Sequence, residues 1–167
     1  MKVIALYLDK LNEHMERMLI KRCSEEIDVR FFNPTIGTKG DLKDADIFID
    51  TTFKVTKNII DAAPHLKLIQ RTGIGVDMVD VAYANERRIP ISVCRGFNSN
   101  AVAELTILDI LSLYRRLTTL DSITKKGEWH TWTYRHESYE IMGKTVGVLG
   151  AGTIGCNVIK KSSSVWR

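Results

Sequence analysis

Two glycine-bearing stretches of this chain have the residue types and spacing to hold an anion. One is Gly150-Ala151-Gly152-Thr153-Ile154-Gly155, directly after the apolar run Lys144-Thr145-Val146-Gly147-Val148-Leu149. A strand, then G-x-G-x-x-G, then a helix is the fingerprint of a dinucleotide-binding βαβ unit. Gly150 makes the tight turn, Gly152 admits a pyrophosphate close to the backbone, and Gly155 lets the new helix pack on the strand. Free N–H groups and the helix dipole favour negative charge there. The cofactor-binding set is therefore Gly150, Gly152, Thr153, Ile154 and Gly155. An acid about 20 residues further on ordinarily holds the ribose. Residues 156–167 contain neither Asp nor Glu, so weak or absent cofactor binding is expected. The second stretch is Arg71-Thr72-Gly73-Ile74-Gly75-Val76-Asp77. Glycines one residue apart let a backbone fold sharply and turn N–H groups toward a carboxylate. A plain turn is the other reading these residues leave open.

These stretches need elements to position them, and the first hundred residues alternate strand and helix patterns. Strands are expected at 3–8, 29–32, 46–50, 66–70 and 89–93. Helices are expected at 11–23, with Leu11, Met15, Met18 and Leu19 at amphipathic spacing, at 56–63, stopped by Pro64, and at 76–87. Strands alternating with helices imply crossovers and a parallel sheet. The fold class is α/β, with a flavodoxin-like domain over residues 1–98. The loop after the fourth strand then lies at the C-terminal sheet edge, where open α/β sheets bind ligands. Residues 101–126, with Val102, Leu105, Leu108, Leu111, Leu113, Leu117 and Leu120, predict one long helix with a wide apolar face. A strand is expected at 145–149. Without neighbouring strands it predicts a mobile or displaced turn at 150–155. The final helix is expected to lose its pattern at Ser162-Ser163-Ser164.

Composition excludes several classes. The 167 residues are 44% hydrophobic and 26% charged with net charge +4, ordinary for a globular protein. Basic residues occur as scattered pairs such as Arg87-Arg88 and Lys125-Lys126, not as a stripe for nucleic acid. No apolar run reaches the 18 or so residues of a membrane span. Cys23, Cys94 and Cys156 have no zinc or disulfide spacing, which points to reduced thiols and the cytoplasm. His130 and His136 lack nearby ligands or a carboxylate pair, so neither a metal site nor a catalytic dyad is read there.

The run from Leu66 to Glu104 contains Arg71-x-Gly-x-Gly-x-Asp77-x-x-Asp80, Arg88-Ile89-Pro90, Asn98 and Val102-Ala103-Glu104. Gly127-x-Trp129, Gly143-Lys144-Thr145-Val146-Gly147 and the fingerprint follow. In this order the motifs resemble the D-isomer-specific 2-hydroxyacid dehydrogenases, of the phosphoglycerate dehydrogenase type, over residues 1–155. Met78 departs from the pattern, standing where many relatives have Asn. The resemblance implies a two-domain NAD oxidoreductase acting on a small 2-hydroxy or 2-keto acid. Residues 1–98 would be the substrate domain and 99–167 the start of a Rossmann domain. Arg71, Gly73, Ile74 and Asn98 would line the substrate site. It also implies a homodimer through residues 101–140. The family's catalytic histidine, its acidic partner and its arginine would fall beyond Arg167, so no residue here is assigned those roles.

Two other classes are weighed. A truncated product that folds and self-associates without turnover is the main rival. A phosphorelay receiver would use Asp50 with Asp9, but Asp9 stands alone where an acidic pair is usual, and Arg95 replaces the lysine. A flavin site lacks its Ser/Thr/Gly-rich loop after the first strand.

Overall fold

The computed structural model describes residues 2–165. The chain divides into two compact units, one ending at Arg95 and the other beginning at Gly96. The first carries β1 (Val3–Tyr7), α1 (Glu13–Arg22), β2 (Ile27–Phe31), β3 (Ile47–Asp50), α2 (Lys57–Asp61), β4 (Leu68–Arg71), α3 (Val81–Glu86) and β5 (Ile91–Ser92). All pairings are parallel, in the order β2-β1-β3-β4-β5. That is the flavodoxin-like order, with its switch point between β1 and β3. Consecutive buried residues in β1, Ala5, Leu6 and Tyr7, mark a strand covered on both faces. Phe48, Leu8, Leu42, Ile60, Ile69 and Val55 form the dry centre.

Local signals start and stop the helices. Asn12 accepts the Met15 amide at 2.9 Å to cap α1, and Glu13 and Glu16 sit in its first turn with Lys21 and Arg22 in its last. Its apolar stripe is only partly covered, since Met15 and Met18 remain exposed. The helix expected at 76–87 starts only at Val81. Asp80 caps it, and Val79 is taken by a bridge to Val55.

The second unit holds α4 (Ser99–Tyr114), α5 (Leu117–Lys125) and α6 (Thr153–Val165), and corrects three expectations. The single helix at 101–126 is two helices, broken where Arg116 takes a left-handed conformation at φ 49°. Its guanidinium pairs with Glu137 and lies 5.4 Å from the Tyr134 ring centroid. Residues 145–149 form no strand. A strand needs a partner, and no second strand runs beside them among the described residues. The serines do not end α6. The Ser162 and Ser163 hydroxyls bond back to the Ile159 and Lys160 carbonyls, a local pairing that serine makes inside helices. Buried Val158 packs α6 on Ala103 and Ile107 of α4, and Lys161 reaches Glu104 at 2.9 Å. That contact holds the Glu104 carboxyl below its usual range.

α3 ends in a Schellman motif. The Ile89 amide donates to the Ala84 carbonyl at 2.8 Å, and the Arg88 amide to the Asn85 carbonyl at 2.9 Å. The position that must be left-handed is Arg88, at φ 57°, where glycine is ordinarily favoured. Arg88→Gly is therefore expected to stabilise the first unit by about 0.5–1 kcal/mol. Urea unfolding checks this, and a lower midpoint in the variant contradicts it.

Candidate active site

Parallel pairing places Asp50 and Arg71, the last residues of β3 and β4, directly opposite one another. Both are buried, Asp50 at 0% exposure and Arg71 at 5%. Arg71 Nη1 bonds Asp50 Oδ2, and Arg71 Nε donates to the Gly75 carbonyl at 2.8 Å. One guanidinium thus ties the end of β3 to the far side of the loop that follows β4. The Thr72 amide donates to the Asp50 carbonyl at 2.9 Å, and the Cys94 amide to the Gly73 carbonyl at 3.0 Å. Burial pushes the Asp50 carboxyl above its usual range; Arg71 pulls it down, and the charge of Asp9 adds to the push.

The switch-point end of β1 and β3 is fastened separately. The Asp9 carboxylate accepts the amides of Thr51 and Thr52 at 2.5 and 2.8 Å, and the Thr52 hydroxyl at 2.6 Å. Burial pushes the Asp9 carboxyl up. The Thr52 hydroxyl and the amides of Thr51, Thr52 and Phe53 together outweigh it and hold the group below its usual range. The Thr51 hydroxyl lies 2.9 Å from the Tyr7 hydroxyl and 2.8 Å from that of Thr72, which links this corner to the loop.

The loop so held leaves its own donors unused. Among the described residues no acceptor takes the amides of Gly73, Ile74 or Gly75, and Ile74 is 66% exposed. A Cβ at Gly73 would meet nothing within 4 Å, while one at Gly75 would come within 2.6 Å of Asp77 Oδ1. Three neighbouring N–H groups thus have no internal partner and are left to an acceptor from outside the loop. Arg71, Gly73 and Ile74 are thus brought together, with Arg71 as the brace beneath the loop. Asn98 belongs to the second unit and immediately precedes α4. The receiver reading fails, because a phosphoacceptor must be accessible and Asp50 is sealed against Arg71.

In the second unit the glycine turn is compact. Gly150 has φ 96°. A Cβ on Gly155 would strike the Gly150 carbonyl oxygen and lie 3.4 Å from Val148 Cγ1. At Gly152 nothing lies within 4 Å of a Cβ, so that face of the turn is open. The Cys156 amide closes the first turn on the Gly152 carbonyl at 2.9 Å. Packing of α6 on α4 supplies the anchor that the expected strand ladder does not. His130 bonds Glu128 at 2.9 Å, and His136 lies 3.6 Å from Glu137. Among the described residues no cluster of His, Cys, Asp and Glu could hold a metal, and no helix is long and apolar enough to cross a membrane.

These glycines predict opposite outcomes for two substitutions. Gly155→Ala is expected to destabilise the packing of α6 by about 1–3 kcal/mol through overpacking. Gly152→Ala is expected to change it far less. Hydrogen exchange of the α6 amides checks both, and equal loss of protection in the two variants contradicts the assignment.

Residues 5–148 match the family described as D-isomer specific 2-hydroxyacid dehydrogenase, catalytic domain. D-3-phosphoglycerate dehydrogenase of Methanocaldococcus jannaschii is 38% identical over 124 residues, 74% of this chain and 23% of that protein. Hydroxypyruvate reductase of Thermotoga maritima is 30% identical over 155 residues, 93% of this chain and 44% of that one. The crystal structure of NAD-dependent formate dehydrogenase from Staphylococcus aureus in complex with NAD superimposes with a TM-score of 0.77 at 26% identity. That match covers 99% of this chain and 54% of that one. The chain spans less than half the length of these two curated relatives. With the family's motifs, its fold and this match in place, the chain belongs to the D-isomer specific 2-hydroxyacid dehydrogenases.

Proposed function

We propose that the chain carries the substrate-binding part, and the start of the nucleotide-binding part, of an NAD-dependent oxidoreductase acting on a small 2-hydroxy or 2-keto acid. The observation that supports this best is the braced loop after β4, with three unpaired amides. The amides of Gly73, Ile74 and Gly75 receive the substrate carboxylate and Arg71 fixes their geometry; Asn98 is assigned to substrate binding by the family's motifs. Residues 1–98 form the substrate domain and 99–167 the beginning of the nucleotide-binding domain.

Gly150, Gly152, Thr153, Ile154 and Gly155 fit the pyrophosphate of NAD. Gly150 supplies the positive φ and Gly152 the open approach; the first-turn amides of α6 have no intrahelical acceptor. The nicotinamide, when bound, is the hydride carrier. This chain's own residues bind and orient; moving the proton of the oxygen on the reacting carbon needs a group near neutral pKa within hydrogen-bond reach. None of His14, His65, His130 and His136 is assigned that role by the family's motifs. A polypeptide of these 167 residues alone is therefore the non-catalytic case: it folds, self-associates and does not turn over.

Self-association is supported by Leu105, Leu108, Leu113 and Leu117, which α4 and α5 leave exposed. Apolar surface of that kind marks an interaction face, and we assign it to a homodimer through residues 101–140. Three free cysteines suit a reducing compartment such as the cytoplasm.

NADH consumption driven by a 2-keto acid is expected at background for this polypeptide, and robust turnover overturns the assignment of roles. Loss of adenosine-side contacts worth roughly 3–4 kcal/mol weakens binding by two to three decades. A fluorescence titration is thus expected to give an NADH dissociation constant above about 10 μM, and a tighter one contradicts the partial site. Light scattering at micromolar concentration is expected to show a dimer, and a clean monomer refutes it.

A further inference from the structure

We propose that Asp50 sets the charge of the acid this site accepts. By neutralising Arg71, it restricts the loop to 2-hydroxy or 2-keto acids whose one anionic group is the carboxylate, and turns away acids with a second carboxylate or a phosphate. This rests on the carboxylate-binding reading of residues 73–75 and goes beyond it to the rest of the substrate.

An arginine under a substrate loop is a natural receptor for a second anion, because its planar fork matches carboxylate and phosphate bidentately. Here two of its five N–H donors are already engaged. Nη1 is on Asp50 Oδ2 and Nε on the Gly75 carbonyl, and the side chain is 5% exposed. What remains at the loop is a set of neutral amides, enough for one carboxylate.

The surrounding charge opposes another. Asp9 and Asp50 contribute two negative charges against the single positive charge of Arg71, and the Asp9 carboxylate accepts the amide of Thr51, the residue next to Asp50. The other oxygen of Asp50, Oδ1, is buried with no hydrogen-bond partner among the described residues, so no donor blunts its charge. Lys54, the next cation after β3, lines a cavity of about 220 Å³ with Asp77 and Asp80, two acids that offset it, and Asp77 lies beside Gly75. Lys10 and Arg95 follow β1 and β5, and both are exposed without a bond to the loop among the described residues. A second anion entering beside residues 73–75 therefore meets like charge, and discrimination by repulsion needs no steric clash.

The test is a ¹H–¹⁵N NMR titration of the full chain with D-lactate and with D-malate, which differ by one carboxylate, read at the amides of Gly73, Ile74 and Gly75. D-lactate is expected to shift these amides, with D-malate binding at least about tenfold more weakly. In Asp50→Asn, which frees the charge of Arg71, the preference for D-lactate over D-malate is expected to fall about tenfold. If that variant does not fold, the wild-type ratio decides alone. D-malate binding as tightly as D-lactate overturns the proposal and leaves the carboxylate reading standing. Loop amides unmoved by either acid overturn that reading, and the proposal with it.

Discussion

The buried pair between Asp50 and Arg71 is the constraint on which the candidate site depends. Taking both charges out of water is expensive, so such a pair adds little net stability, yet removing one partner typically costs about 3–5 kcal/mol. Its value here is geometric. The pair forms only if β3 and β4 lie in the observed register, with Phe48 opposite Ile69 and Asp50 opposite Arg71. Once formed, a second donor of the guanidinium, Nε–H, reaches the Gly75 carbonyl. Register in the sheet is thereby converted into the position of three loop amides. Asp9 repeats the device on the other side, where one carboxylate takes donors from Thr51 and Thr52.

The two units are held by different means. The first buries a continuous core around a complete parallel sheet. The second relies on α6 against α4 through Ala103, Ile107 and Val158, with Leu111 and Val148 partly covered. Leu105, Leu108 and Leu113 of α4 stay exposed, so much of the apolar surface of that helix is unused within the unit. Burying it against another surface would stabilise the unit at roughly 25 cal/mol per Å² covered.

Much of this was legible in the sequence, and the exceptions share a cause. Short apolar runs and period-3.6 patterns located the five strands and the first helices, and the spacing of Gly150, Gly152 and Gly155 located a turn whose crowding the structure displays. Pattern reading fails where the outcome depends on a distant partner. The apolar pattern at 101–126 continues across Arg115-Arg116, but the bond from Arg116 to Glu137 rewards a break that no local propensity signals. The run at 145–149 has strand composition without a strand to pair with. Ser162 and Ser163 remain helical because α6 is anchored elsewhere, at Val158 and Lys161. The brace was missed for the same reason. Asp50 and Arg71 are 21 residues apart and meet only through the register of two parallel strands. The sequence signal available was an acid and a base closing consecutive strands.

The central claim is that Arg71 acts by holding the loop, and ¹⁵N relaxation of the Gly73, Ile74 and Gly75 amides in wild type and in Arg71→Lys tests it most directly. Lysine keeps the positive charge beside Asp50 but cannot reproduce the fork that also reaches the Gly75 carbonyl. The account predicts order parameters near 0.85 in wild type, falling below about 0.6 at the three loop amides in the variant, with β4 unchanged. Loop amides as rigid in Arg71→Lys as in wild type would contradict it.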